Sequence, residues 1–238
     1  MICLRYCVKK KFVKIKLEVS EDDLYKLNIR HSSRKWVSKV SIKDTEKYLN
    51  IIKNYLRIKN NKKYYLKKID NKSKLSILCL GVRNGREVDL FRLCQSNYLL
   101  VNFLKLFEIS RNRIGFKTLF WSFLESLNRS DIDNLNQGSV IGIDINPKSK
   151  RKDVDVQSFD NIHQNLKKKF DIIYTNSLDH TANPYKVAAE MKSCLKDSGF
   201  IILAFPLGQD SGIIDPTSGI ELDDIKKLFG GEIIYHKY

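Results

Sequence analysis

Three short segments of this 238-residue chain end apolar runs on residues that could do chemistry. In KLSILCLGVRNGREV (74–88), Gly81, Val82, Arg83 and Gly85 form a turn between a strand-like run and a helix-like one. A glycine lacks the Cβ that would hold a ligand off the backbone, and a helix amino terminus offers free N–H groups, although a tight βα turn also uses two glycines for geometry alone. In VIGIDINPKS (140–149), Asp144 and Ile145 close a second apolar run. A carboxylate there can accept hydrogen bonds from both hydroxyls of a ribose, and its other ordinary use is to cap a segment starting at Pro147. In KFDIIYTNSLDHTANPYK (169–186), a third run opens onto Asn176, Ser177, Leu178, Asp179 and His180. Polar groups in such a loop are costly to a core and useful to a site. Asp179 and His180 are the candidates for moving a proton, and the plainer roles are a turn or a cap on a helix at Pro184 for Asp179 and a surface position for His180. Together the three loops point to a nucleotide-like cofactor lying across the top of an open α/β sheet.

The elements that must position these residues follow from periodicity. Strands are expected at 75–80, 140–145, 154–157, 170–175 and 200–205, with helices from about Gly85 to Cys94, Pro184 to Leu195 and Glu221 to Phe229, and a final strand at 232–235. Alternating strand and helix define a Rossmann-like, doubly wound α/β fold with a mostly parallel sheet. The gap between the first and second core strands is too long for an ordinary βα connection, so a helical insert occupies about 96–138. Within it, Phe116, Leu119, Phe120, Phe123, Leu124 and Leu127 keep helical spacing. Ahead of this domain (74–238) stands a basic amino-terminal extension (1–73), in which FVKIKLEV (12–19) alternates as a half-buried strand and Tyr48, Ile51, Ile52, Tyr55 and Leu56 mark an amphipathic helix.

Charge is unevenly spread. The formal net charge is +16, yet residues 1–74 hold 22 Lys and Arg against 7 Asp and Glu, while the rest of the chain is nearly balanced. The lysines are mixed with Asn and Ile and carry no RNA-binding motif, so a solvated surface is preferred to a nucleic-acid anchor. Five scattered cysteines without a CxxC pair predict reduced thiols, no zinc site and no other metal. MICLRYCVKKKF lacks the pattern of a secretory signal, and no run reaches the roughly 20 apolar residues of a membrane span, so a cytoplasmic location is expected.

ILCLGVRNG, VIGIDINP, VQSFDNI, FDIIYTNSLDH and EMKSCLKDSGFIILAF, in this order over about 74–205, resemble the class I S-adenosylmethionine-dependent methyltransferases, in particular the type 11 group. The resemblance implies S-adenosyl-L-methionine as cofactor. It sets Gly81 and Gly85 beside the methionine part, Asp144 at the ribose, Ser158, Phe159 and Asp160 near the adenine, and Asn176, Ser177 and Leu178 beneath the sulfonium, and it counts Val82, Arg83 and Ile145 among the cofactor-binding residues. Cys79 stands where the family usually has an acid, Arg83 replaces the middle glycine of the turn, and Ser158 replaces an aspartate. Such folds usually finish with a β-hairpin that inserts an antiparallel strand, but only one strand-like run follows Leu228, which leaves the carboxyl edge truncated or closed by the amino-terminal strand.

The function expected is therefore transfer of a methyl group to an unidentified small-molecule or glycan acceptor, with Asp179 or His180 as base if the acceptor is a hydroxyl. Two alternatives are a degenerate, non-catalytic Rossmann-like module, which the departures at Cys79, Arg83 and Ser158 would suit, and an RNA-binding or RNA-modifying methyltransferase that uses the basic segment. A nicotinamide dehydrogenase ranks last among the enzyme readings, because Gly81-Val82-Arg83 breaks G-x-G-x-x-G and the insert displaces the acid that should follow.

Overall fold

Alternation along the central strands sorts the apolar residues onto the two faces of one sheet. In the computed structural model, which describes residues 2–5, 20–32, 42–59, 75–83, 85–96, 139–149, 151–204, 215–217, 220–231 and 233–237, seven strands lie side by side. They are β1 (Ile2–Arg5), β2 (Ile77–Leu80), β3 (Val140–Asp144), β4 (Val154–Val156), β5 (Phe170–Thr175), β6 (Leu195–Leu203) and β7 (Ile233–Lys237). The order is β4-β3-β2-β5-β6-β1-β7, and every pairing is parallel. Leu78, Leu80 and Ile173 face one helical layer, made by α4 (Pro184–Cys194) and α5 (Leu222–Phe229). Ile77, Cys79, Ile172 and Tyr174 face the other, made by α2 (Ile42–Lys59) and α3 (Arg86–Ser96). Helices on both faces of a parallel sheet make the fold a doubly wound, Rossmann-like α/β architecture.

Several expectations are adjusted. The first helix, α1 (Glu21–Ser32), has no counterpart in the periodicity reading. Its Ser20 hydroxyl accepts the Asp23 N–H at 3.2 Å and donates to the Asp23 carboxylate at 2.7 Å, a local cap that starts the helix without a strong apolar stripe. The sixth strand begins at Leu195 rather than 200, because Phe170 pairs with Leu195 and Ile172 with Phe200, so the LKDSG segment bulges out of the ladder. The carboxyl edge is closed by an amino-terminal strand, but by Ile2–Arg5, slotted parallel between β6 and β7. The strand expected at 12–19 and the insert at 96–138 lie outside the described residues, apart from Ser96 at the end of α3. Among the described residues Cys79, Cys94 and Cys194 are free thiols, and no helix is long and apolar enough to cross a membrane.

A charged staple joins α3 to the β3–β4 connection. The Arg151 guanidinium donates to Asp89 at 2.8 and 2.6 Å and to Asp153 at 2.9 and 2.8 Å, and Arg92 adds 2.5 Å to Asp153 and 2.6 Å to the Val140 carbonyl. Burial alone would raise the Asp153 carboxyl, yet the two guanidinium groups outweigh it and hold it below the usual carboxylate range. Removing Arg151 takes a cation from two buried carboxylates and leaves Asp153 to Arg92. We expect Arg151→Met to cost about 3–5 kcal/mol in urea unfolding, since the methionine fills the space without the charge. On the opposite side of β2, the Tyr174 hydroxyl is buried against Phe91 with no hydrogen-bond partner among the described residues. Tyr174→Phe should raise stability by about 1 kcal/mol in the same measurement, because it removes a desolvated donor and keeps the ring.

Candidate functional site

The sheet order reverses between β2 and β5, since β3 and β4 lie to one side of β2 and β5 and β6 to the other. Loops at the carboxyl ends of strands part at such a point and leave a crevice. A cleft partly open to solvent lies there. Its walls include Gly81 and Arg83 after β2, Asp144 and Ile145 after β3, Phe159 after β4, and Ser177 and His180 after β5. Of the residues singled out from the sequence, these seven line the cleft. Val82, Gly85, Asp160, Asn176, Leu178 and Asp179 do not.

Most of these six have another occupation. Val82 is buried beside Gly142, and Leu178 belongs to the core beneath the loop. The Arg151 guanidinium lies over Gly85, 2.9 Å from where a Cβ would stand. The Asn176 side chain turns away to donate to Glu87 at 3.4 Å. Asp160 accepts a short hydrogen bond from Tyr25, whose hydroxyl also lies 3.0 Å from Ser158. Asp179 is buried and does not cap α4, because Asn183 accepts the Lys186 N–H at 3.0 Å and performs that task. His180 is not on the open surface either, with its side chain 19% exposed at the cleft wall.

Asp144 governs the geometry of the β2 loop. One carboxylate oxygen accepts the Arg83 N–H at 2.5 Å and the other the Asn146 N–H at 2.8 Å. No helix starts at Pro147; the segment is a turn, so the capping role reduces to the Asn146 contact. Burial pushes the Asp144 carboxyl above its ordinary range, and the two N–H groups offset only part of this. At the other end of the same residue, the Ser149 hydroxyl donates to the Arg83 carbonyl. Gripped at both ends, Arg83 adopts φ +54°, the left-handed region where a side chain costs about 1–2 kcal/mol. A glycine is therefore the unstrained residue for this position, and the arginine is held there by its neighbours.

Gly81, at φ +71°, has its own local reason. A Cβ there would stand 2.5 Å from the Ser177 Oγ and 2.6 Å from its Cβ, so the glycine admits the β5 loop to the β2 loop. Thr175 sets that loop by donating to the Leu80 carbonyl at 3.3 Å and accepting the Ser177 N–H at 3.1 Å. Cys79 is fully buried on the α2–α3 face, where burial, then the charge of Glu87, pushes its thiol well up. It is a packing residue and does not line the cleft.

Leu24, Tyr25, Asn28 and Asp215 escaped the sequence reading. Leu24, Tyr25 and Asn28 extend α1 along the cleft, and Asn28 donates to the His180 carbonyl at 3.0 Å. The helix thus ties the β4 loop, through Tyr25, to the β5 loop. A capping signature at Ser20–Asp23 could have revealed the helix, but nothing in its sequence says where it docks. Asp215 approaches because Thr217 donates through its hydroxyl to the Leu178 carbonyl at 2.7 Å and through its N–H to the Asp179 carbonyl at 3.3 Å. Its carboxylate reaches the His180 Nδ1 at 2.5 Å.

No protein-family model and no curated protein matches the chain. Among solved structures, one similar chain is a SAM-dependent methyltransferase from Aquifex aeolicus, at 14% identity and a TM-score of 0.34, covering 69% of this chain and 74% of that one. So loose a superposition leaves the sheet order and the cleft as the ground for a functional reading.

Gly81→Ala meets both a strained φ and a collision with Ser177. We expect it to lose about 2–3 kcal/mol in urea unfolding, at the upper end of what strain and overpacking produce together.

Proposed function

We propose that the cleft binds S-adenosyl-L-methionine and that the protein is a methyltransferase of the class I kind. The observation that carries this reading is the meeting of Gly81, Asp144 and Ser177, the ends of β2, β3 and β5, around one cleft at the switch point of a parallel sheet. The residues present suit the cofactor. Arg83 brings a guanidinium to the wall beside the strand-2 turn, where the methionine carboxylate would lie, and bidentate pairing is its ordinary use. Asp144 has two acceptor sites committed to backbone N–H groups, and a carboxylate offers about four, which leaves capacity for ribose hydroxyls. Phe159 offers a ring for the adenine and Ser177 lies under the reacting end.

The cofactor supplies a methyl group activated by a positively charged sulfur. The chain's own task is then to align the acceptor, exclude water and take up a proton where one is released. Leu24, Tyr25 and Asn28 roof the cleft from α1, and His180, with Asp179 behind it, is the group placed for the proton. The acceptor is an unidentified small molecule or glycan.

A second reading keeps the fold and removes catalysis. It draws on Tyr25, which engages both Ser158 and Asp160 at the adenine end. Equilibrium dialysis with radiolabelled S-adenosyl-L-methionine separates the two. Saturable binding that weakens by about tenfold or more in Asp144→Ala, and is unchanged in the exposed Asp155→Asn, is expected from loss of a charged hydrogen-bond acceptor. Absence of saturable binding at millimolar cofactor would establish the non-catalytic module.

A further inference from the structure

Resting on the methyltransferase reading, we propose that Tyr25 is a latch that competes with the adenine of the cofactor: its hydroxyl occupies Asp160 and Ser158, the polar groups flanking Phe159, and the base binds only when that part of α1 lifts.

The contact lies where a flat ring would be read. Phe159 lines the cleft, while Ser158 and Asp160 on either side of it do not. Tyr25 reaches both from α1: its hydroxyl donates to the Asp160 carboxylate and stands 3.0 Å from the Ser158 hydroxyl. Tyr25 itself lines the cleft, so the phenol, and not the acceptors behind it, faces the cavity. To a carboxylate, a phenol O–H and the exocyclic N–H of a purine offer the same thing, one donor at the edge of an aromatic ring. A base stacked on Phe159 therefore finds its polar partner already taken within the chain.

The helix is lightly attached. Among the described side chains of α1, Leu24 alone is buried, and it joins neither apolar layer on the sheet. By contrast, α2 sets Ile42, Tyr48, Leu49 and Ile52 into one of those layers. An element held by few buried groups opens locally without unfolding the domain.

The two attachments of α1 to the loops differ in kind. Asn28 donates to the His180 carbonyl at 3.0 Å, a backbone group in a turn that Thr217 holds from the other side through Leu178 and Asp179. Asp160 instead offers a side-chain acceptor that a ligand can take over, so the helix keeps one hold while it gives up the other. With the latch shut, only the open fraction of molecules binds, and the apparent dissociation constant is the intrinsic one divided by that fraction. Removing the phenol O–H raises the open fraction. Removing the Asp160 carboxylate raises it too, but takes away the acceptor that the base would use. The two substitutions therefore loosen α1 alike and move cofactor affinity in opposite directions.

The test compares the full chain with its Tyr25→Phe and Asp160→Ala variants, by hydrogen-exchange mass spectrometry without cofactor and by equilibrium dialysis with radiolabelled S-adenosyl-L-methionine. Exchange over residues 20–32 is expected to rise about tenfold in both variants, while peptides over 170–203 keep wild-type protection and show that the sheet is folded. Dialysis should give about tenfold tighter binding in Tyr25→Phe and about tenfold weaker binding in Asp160→Ala. Unchanged exchange over 20–32 in a folded Tyr25→Phe protein overturns the latch. Weaker or unchanged cofactor binding in Tyr25→Phe, with α1 loosened, overturns the competition, the weaker binding making the phenol part of the cofactor's own site. Unchanged or tighter binding in Asp160→Ala removes Asp160 as the partner of the base and overturns the competition equally. If none of the three proteins binds the cofactor while α1 loosens as expected, the methyltransferase reading fails, and the competition with it, whereas the hold of Tyr25 on α1 stands.

Discussion

The carboxylate of Asp144 holds the site in shape. By accepting one N–H from its own loop and one from the loop after the neighbouring strand, it sets the distance between the ends of β2 and β3. The conformation of Arg83 depends on that bond and on Ser149 from the other side. Without them a left-handed arginine would relax toward the broad allowed regions, and the wall it provides would move. The position that a cofactor would use for its sugar is therefore also the position that keeps the loops together, so binding and local stability are coupled through one side chain.

A similar economy shapes the rest of the cleft. Gly81 allows Ser177 close approach, Thr175 bridges β2 to the β5 loop, and Arg151 covers Gly85 while neutralising Asp89 and Asp153. These contacts lie on the protein side of the loops, and they account for both glycines and for the acid without reference to a ligand. What they leave facing the cleft is a guanidinium, a phenyl ring, a hydroxyl and an imidazole.

How much of this could be read from the sequence depended on whether the signal was local. ILCL, VIGI and IIYT are short, largely apolar runs followed by Gly, Asp or Asn, and their burial on both faces leaves little choice but central parallel strands. The order of the loops then placed Gly81, Asp144 and Ser177 together. The side-chain commitments were not legible, because they depend on partners distant in sequence: Tyr25 with Asp160, Arg151 with Gly85, Asp215 with His180. The helix α1 was missed because its Leu24 meets the cleft rather than a continuous hydrophobic layer, which weakens the periodic stripe that marks helices. The strand Ile2–Arg5 was missed because four apolar-rich residues beside a lysine run carry no alternation to distinguish them.

That same strand has a consequence for how the molecule is made. Ile2 pairs with Ile201 and Ile233, so this strand has no ladder to join until segments far along the chain have folded beside it. Closing so large a loop is slow, and until it closes, the edge of β6 presents unsatisfied amides to its surroundings. Until β1 docks, an intermediate with β6 in place carries an open sheet margin prone to self-association.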